Sequence, residues 1–376
     1  HVDPPAPVRE LIGQEHWYLR DSNWEPDFRS SATQAAWFYE KEAGKQVDGV
    51  IAINVPFIID LLRATGPLTL TDFNDRITAD NFFGKSLLYT QTDFFPGSTQ
   101  KKDFLGSLAG ALIGRVTREE GVDAGGLLRA LIAGLRAKNI LFYFPDPELQ
   151  ALVTQYDWAG EMTPVYAQGT DGIAVVEANV GINKANYFVT REALHQVALA
   201  EDGSSSNMIT LRYHNASTGD QGEGGGAYRS YLRLLLPKGS VVEAVSVNGI
   251  ALQNRDLTRA QAVALPFAQK EEGDAMTEIT GIAFEVPPLG DAQVSVSYRR
   301  SGAVLLDERG GEYVLTVRKQ PGYKEGMWQT NVMFPIFWQP TFIEGEPVMS
   351  YVANQGRLEY NTNGDKDARM SVRFDK

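Results

Sequence analysis

The chain has 376 residues and a formal net charge of −12, with 43% of its residues hydrophobic and 22% charged. This is the composition of a folded protein with room for two or three domains, and its acidic balance excludes a broad basic surface for nucleic acid. Cysteine is absent and the four histidines (His1, His16, His195, His214) show no metal-ligand spacing, which removes thiol catalysis, disulfides and thiolate metal sites and argues against a zinc enzyme. Lack of cysteine fits an exported bacterial protein, where stray thiols mispair, although many cytosolic chains lack it too.

The chain opens at His1, without an initiator methionine or a visible signal peptide, so a missing or processed N-terminus is expected. RDSNWEPDF (20–28) packs three carboxylates beside an arginine and a tryptophan just before a helical run, ATQAAWFYEKEAG, that should end at Gly44. VDGVIAINV (47–55) is nearly continuous in apolar residues and of strand length, predicting a central strand buried on both faces. Pro56 then opens a helix over PFIIDLLRAT that closes at Gly66. Further helices are predicted over ADNFFGKSLLY behind Thr78, TQKKDFLGSLAGALIGRV behind Ser98, and AGGLLRALIAGLRAK behind Asp123. GLLRALIAGL (126–135) is the most apolar of these, but it falls short of the ~20 residues that cross a bilayer and carries Arg129, so it reads as a packed helix. The strand NILFYF and a short helix begun by Asp146 and Pro147 complete residues 1–160. Alternating strand and helix predicts an α/β domain with a mainly parallel sheet.

From about Val165 the pattern becomes short alternating runs separated by Gly, Pro, Asn and Asp turns. Examples are GIAVVEANV, MITLRYHN, YRSYLRLLL and AQVSVSYRR. Residues 165–376 therefore predict an antiparallel β-sandwich region, with a candidate break near 300 that would divide it into two modules.

WYLRDSNWEPDF, SSATQAAWFY, VDGVIAINVPFIIDLLRATGPLTL, EANVGINKANYFVTR and YRSYLRLLLPKGS resemble the bacterial domain-of-unknown-function family numbered 4012. The resemblance runs to about residue 245 and implies an exported or membrane-anchored envelope protein. Members usually carry an upstream block similar to N-N-A-E-L-R-x-T-G-G-F, which this sequence does not contain, so the α/β part is expected to be N-terminally incomplete. That part in turn distantly resembles the LytR-CpsA-Psr phosphotransferases, which move glycopolymers from a polyprenyl pyrophosphate carrier to the cell wall. By that resemblance Arg20 and Asp21 match a P-R-D element, and Gln100, Lys101 and Lys102 fall near the basic positions of a helix. The paired arginines expected near YTQTDF are missing, with Thr90 and Thr92 there instead, so a pyrophosphate site would lack its bidentate anchors.

Two functions follow as expectations. One is a non-catalytic scaffold or binding component of the extracytoplasmic cell envelope or surface. Its partners would be other envelope or surface chains, among them its own cleaved N-terminal fragment. The alternative is a glycopolymer phosphotransferase-like enzyme acting on polyprenyl-phosphate-linked substrates. Candidate catalytic residues are Arg20 and Asp21, with Asp21 also the candidate ligand of a divalent cation, the one cofactor considered. Asp27, Lys101 and Lys102 are candidate ligand-binding residues. Against these stand structural readings: Asn23, Asp27 and Ser30 as turn and cap residues, Trp24 and Phe28 as core, and Arg20–Asp21 as an ion pair. Asn179, Asn183, Lys184 and Asn186 read as loop closure. NTNGDKDAR (361–369) reads as a hairpin turn rather than a calcium loop. GMWQTNVMFPIFWQPTF (326–342) is dense in aromatics, and Trp328, Phe334, Phe337 and Trp338 are candidate interface residues.

Overall fold

The computed structural model describes residues 1–91, 100–118, 122–162, 169–219, 224–253, 265–273, 276–323, 326–345, 349–352 and 356–375. It is a mixed α/β protein of two compact units. The larger joins His1–Gln46, Glu161–Gly219 and Gly225–Lys376, and the smaller joins Val47–Gly160 and Asp220–Gly224. Residues 1–46 thus belong with the β-rich region, which corrects the expected domain of 1–160.

Helix α1 (Phe28–Ala43) starts where the Asp27 carboxylate accepts from the Arg29 amide and stops at Gly44, whose φ of 66° is left-handed. In the smaller unit, β1 (Val50–Ile53) leads into α2 (Val55–Thr65), with Asn54 before it and proline in its first turn. β2 (Leu68–Leu70), β3 (Asp75–Ile77), α3 (Phe82–Gln91), α4 (Gln100–Arg118), α5 (Ala124–Arg136), β4 (Ile140–Tyr143) and α6 (Pro147–Gln155) follow. The expected helices are present, and Asp146 caps α6 by accepting from the amides of Glu148 and Leu149.

The expected mainly parallel sheet is not. β1 pairs antiparallel with β4 (Ile51 opposite Phe142), and β2 pairs antiparallel with β3. Alternating element types fix the order of strands, not their directions, and here the chain passes through α2 to α5 before returning against β1. With only β4 beside it among the described residues, β1 is an edge strand rather than a central one, and Ile51 and Ile53 are 57% and 52% exposed. Packing comes instead from helices. Phe57 of α2, Ala130 of α5 and Ile140 make one cluster, and Gly134 is required there because a Cβ would sit 2.8 Å from the Phe57 ring. Leu62, Leu68, Ile77, Phe82, Phe104 and Leu108 make another.

The larger unit carries β5 (Thr170–Asn179), β6 (Val189–Leu199), β7 (Ser205–Asn215), β8 (Tyr228–Pro237), β9 (Ser240–Val247), β10 (Ile250–Ala251), β11 (Phe267–Glu271), β12 (Thr277–Val286) and β13 (Gly290–Arg300). Then come β14 (Val304–Leu306), β15 (Gly310–Arg318), β16 (Trp328–Met333), β17 (Gln339–Gly345), β18 (Met349–Val352), β19 (Arg357–Thr362) and β20 (Ala368–Asp375). One eight-stranded sheet runs β10-β9-β13-β7-β6-β16-β19-β18. The other runs β11-β12-β8-β5-β15-β20-β17, with β14 alongside β15. Pairing is antiparallel except for β15 on β5 and β16 on β6, which are parallel. Strands after residue 300 therefore insert into the same sheets as those before it, and no break divides the region there.

Both sheets contribute to one apolar cluster, in which Val197, Ile209 and Val294 of the first meet Ile173, Leu234 and Phe284 of the second. β8 is buried along nearly its whole length because both its faces are covered. Leu232, Leu234 and Leu236 enter the shared core, while Tyr231 packs with Val8, Leu11 and Trp24 of the N-terminal segment. No helix among the described residues is long and apolar enough to cross a membrane.

Candidate functional site

The RDSNWEPDF cluster resolves into local structural tasks. Trp24 is buried, stacks on Tyr231 with ring centres 5.7 Å apart, and lies under the Arg233 guanidinium at 4.6 Å. Asp27 uses one carboxylate oxygen on the Arg29 amide at 3.1 Å and the other on the Met162 amide at 3.3 Å, so it serves as a cap and a tether. Arg20 Nε meets Asp21 Oδ2 at 3.0 Å, and Arg20 Nη2 donates to Gln14 Oε1 at 2.7 Å, with the Arg20 side chain 63% exposed. This is a surface pair, with the Asp21 side chain 23% exposed. Among the described residues no group of three or more His, Asp or Glu side chains, Asp21 included, is placed to hold a metal ion. Lys101 and Lys102 form the first turn of α4 by backbone, and their side chains lie outside the described residues, as does Ser98.

The aromatic segment is corrected most clearly. Trp328, Phe334 and Trp338 belong to the core shared by the two sheets, where Phe334 and Trp338 pack on Phe374 at 4.8 and 5.3 Å. Trp328 enters the core from β16, and Phe334 and Trp338 enter it from the turn that follows. Phe337, at 48% exposure, remains on the surface.

The asparagine cluster closes a loop, as its composition suggests: Asn179 Nδ2 donates to the Asn183 oxygen at 2.9 Å, and Asn183 Nδ2 donates to the Ala227 oxygen at 2.9 Å. Beside it lies a buried polar network that sequence reading did not find. Glu177 of β5 accepts from Arg191 of β6 at 2.5 Å, from the Tyr213 hydroxyl of β7 at 2.9 Å and from the Tyr228 hydroxyl of β8 at 2.7 Å. Burial pushes both phenols well above their usual range and the Glu177 charge adds to this, so each remains a donor. The network joins the two sheets through one carboxylate. Its signal in the sequence was a glutamate and an arginine at inward positions of otherwise apolar strands. NTNGDKDAR likewise differs from a hairpin: it connects β19 of one sheet to β20 of the other, with Asp367 pairing Arg318 at 2.6 Å.

A second buried set surrounds His195. Its Nε2 lies 3.2 Å from Asn207 Oδ1 and 3.2 Å from the Tyr298 hydroxyl. Burial outweighs the Asn207 hydrogen bond and lowers its pKa from 6.5 to about 4, so the ring is neutral in the native protein.

Among the described residues an opening lies between β9 of the first sheet and β11 and β12 of the second. It is a cleft of about 350 Å³ lined by residues of those strands and Leu252. Val242, Val245, Leu252 and Ala268 form its apolar floor and continue into the shared core. At its side Glu278 receives Lys238 Nζ at 3.2 Å and Lys270 Nζ at 3.1 Å. Burial works against the Glu278 charge, but the two lysines more than offset it and hold the carboxyl below the usual glutamate value.

A model of the family described as "Protein of unknown function (DUF4012)" matches residues 2–89. No curated protein matches the chain. Among solved structures the chain is similar to a putative nutrient binding protein from Legionella pneumophila, with 9% identity, a TM-score of 0.34, and coverage of 55% of this chain and 70% of that one. It is also similar to an M1 zinc metallopeptidase from Deinococcus radiodurans, with 9% identity, a TM-score of 0.26, and coverage of 49% and 42%. Yeast LTA4 hydrolase in complex with bestatin gives 9% identity, a TM-score of 0.28, and coverage of 55% and 30%. The chain therefore spans less than half the length of either enzyme chain.

Proposed function

We propose that this is an extracytoplasmic protein of the bacterial envelope or surface, acting as a non-catalytic scaffold or binding component. In this reading the larger unit is a β-sandwich. The LytR-CpsA-Psr resemblance of the smaller unit is one of fold ancestry, with the phosphotransferase chemistry not retained. The observation that carries the proposal is the second aliphatic stripe of α5. One stripe, with Ala130 and Gly134, is buried in the unit. The other presents Leu128, Leu131 and Ile132 at 58%, 41% and 42% exposure. These positions follow the i, i+3, i+4 spacing of a single helix face, and a helix apolar on two faces is ordinarily covered on both. Its occupant in this reading is another envelope chain. A photo-crosslinking residue at Leu131 should capture a discrete envelope protein in living cells, whereas one at exposed Arg76 should not. Equal capture at both positions, or none at Leu131, would overturn the proposal.

A further inference from the structure

The outer edge of β1 carries a defined hydrogen-bonding pattern. The Asn54 amide donates to the Asn139 oxygen at 2.9 Å, and the register sets Ala52 opposite Leu141 and Val50 opposite Tyr143. Hydrogen-bonded and non-hydrogen-bonded pairs alternate along an antiparallel ladder, so Val50, Ala52 and Asn54 direct their backbone groups at β4. The N–H and C=O of Ile51 and Ile53 therefore point to the other side, where no strand among the described residues receives them. Their side chains lie on the sheet face of Phe142 and Ile140, yet both are more than half exposed.

Nothing in β1 blocks a further strand. Both end strands of the second sheet carry such devices: Lys270 and Glu271 in β11, and Pro340 with a register shift in β17. β1 has no charge, no proline and no shift of register against β4. Residues 49–59 are uncharged throughout, so the total of −12 sets no like charges against each other along this edge.

The edge also matches itself. An antiparallel partner must offer outward backbone groups two residues apart, as Ile51 and Ile53 do, and a second copy offers the same pair. With the two-fold axis at Ala52, Ile51 lies opposite Ile53 of the partner subunit, and Ile53 opposite Ile51 of the partner subunit. All four outward-pointing residues then gain both backbone hydrogen bonds, and their four side chains lie together on one face. We infer that β1 is a dimerisation edge, pairing antiparallel with β1 of a second copy about Ala52 to make a four-stranded sheet. The edge is formed by β1 and not by α5, so failure of either proposal leaves the other standing.

Sedimentation of the full chain across micromolar concentrations should show a reversible monomer–dimer equilibrium. Ile51→Lys/Ile53→Lys places lysines opposite lysines and should weaken association at least about tenfold, whereas Ile113→Lys, on an exposed position of α4, should leave it unchanged. Because the chain has no cysteine, Ala52→Cys tests the register directly. Its two copies would face each other at a Cα separation of about 4.5 Å, within disulfide reach, and mild oxidation should give a covalent dimer. Val50→Cys should not, its two copies being offset by roughly 13 Å along the strands. A monomer at all these concentrations, association unmoved by the double lysine variant, or equal crosslinking of the two cysteine variants would overturn the assignment. So would an Ala52→Cys chain that crosslinks to another protein in place of itself.

Discussion

Arg233 Nη2 donates to the backbone oxygen of Trp24 at 2.5 Å, across 209 positions of sequence, while its guanidinium covers the indole of the same residue. Both groups are buried, and burial lowers the Arg233 pKa, with Glu271 and Glu25 opposing the shift. Glu25 shows the reciprocal balance: burial raises its pKa and Arg233 pulls it down. The N-terminal segment is therefore fastened to the outer face of β8 by a cation, a ring and a carbonyl together.

Arg233→Ala should cost about 2–4 kcal/mol, because it removes a buried charge-assisted hydrogen bond and a desolvated cation–π contact. Trp24→Ala should cost about 3–5 kcal/mol through the cavity it leaves. Being in contact, the two should not add. Denaturant unfolding of both single variants and the double gives the coupling energy, and full additivity would show that the contact is not energetically shared.

His195 makes stability depend on pH in a defined window. The unfolded ring titrates near 6.5 and the folded ring near 4, so between these values the unfolded state binds the extra proton. Stability from keeping His195 neutral is thus present in full above pH 6.5 and is lost as pH falls toward 4, by up to roughly 3 kcal/mol. Asp171, whose pKa burial raises against the pull of Arg300, works in the opposite direction at the acid end. His195→Gln should therefore flatten the difference in unfolding free energy between pH 7 and pH 5. An unchanged difference would place the acid sensitivity elsewhere.

Arg20→Ala and Asp21→Ala should each change stability by less than about 1 kcal/mol, as expected for an exposed pair. Asp27→Ala should cost more, about 1–2 kcal/mol, because it removes both the cap of α1 and the tether to Met162. Thermal unfolding of the three variants orders them. If Arg20→Ala were the most damaging, the surface reading of the pair would be wrong.

Trp338 and Phe337 are adjacent and should behave oppositely. Trp338→Ala should cost about 3–5 kcal/mol, while Phe337→Ala should stay within about 0.5 kcal/mol. Similar losses at both positions would mean that the aromatic segment is packed in solution differently from the arrangement described.

What the sequence disclosed depended on the distance between cause and effect. Gly44, Asp146 and the strand ends act within a few residues, and their helices and strands are where local patterning puts them. VTREA and LHQVAL run on as the single β6, since nothing between them breaks the inward alternation. β1 shows the limit. VIAI has the composition of a doubly covered strand, but coverage is set by neighbours, and here β4 is its only one among the described residues. Trp24 carries no mark of its partner, because Arg233 and Tyr231 lie beyond the whole smaller unit in sequence. The cleft was illegible for the same reason, its lysines and floor coming from strands distant from one another in the chain.

The seam between Trp24 and Arg233 also sets a timetable for synthesis. Residues 1–46 dock on a surface assembled from β8, β11 and β12, so roughly 240 further residues (286 − 46) must leave the ribosome first. At ~5–20 residues per second that interval is on the order of 10–50 s, long enough for Val47–Gly160 to fold while the aliphatic N-terminal segment waits without its partner. The last strands impose a further delay, since β15 and β16 must slot beside β5 and β6 before either sheet is complete. A nascent chain stalled near residue 300 would thus hold a folded smaller unit and an open, pairing-competent remainder. That interval is when this chain would most need a holding chaperone.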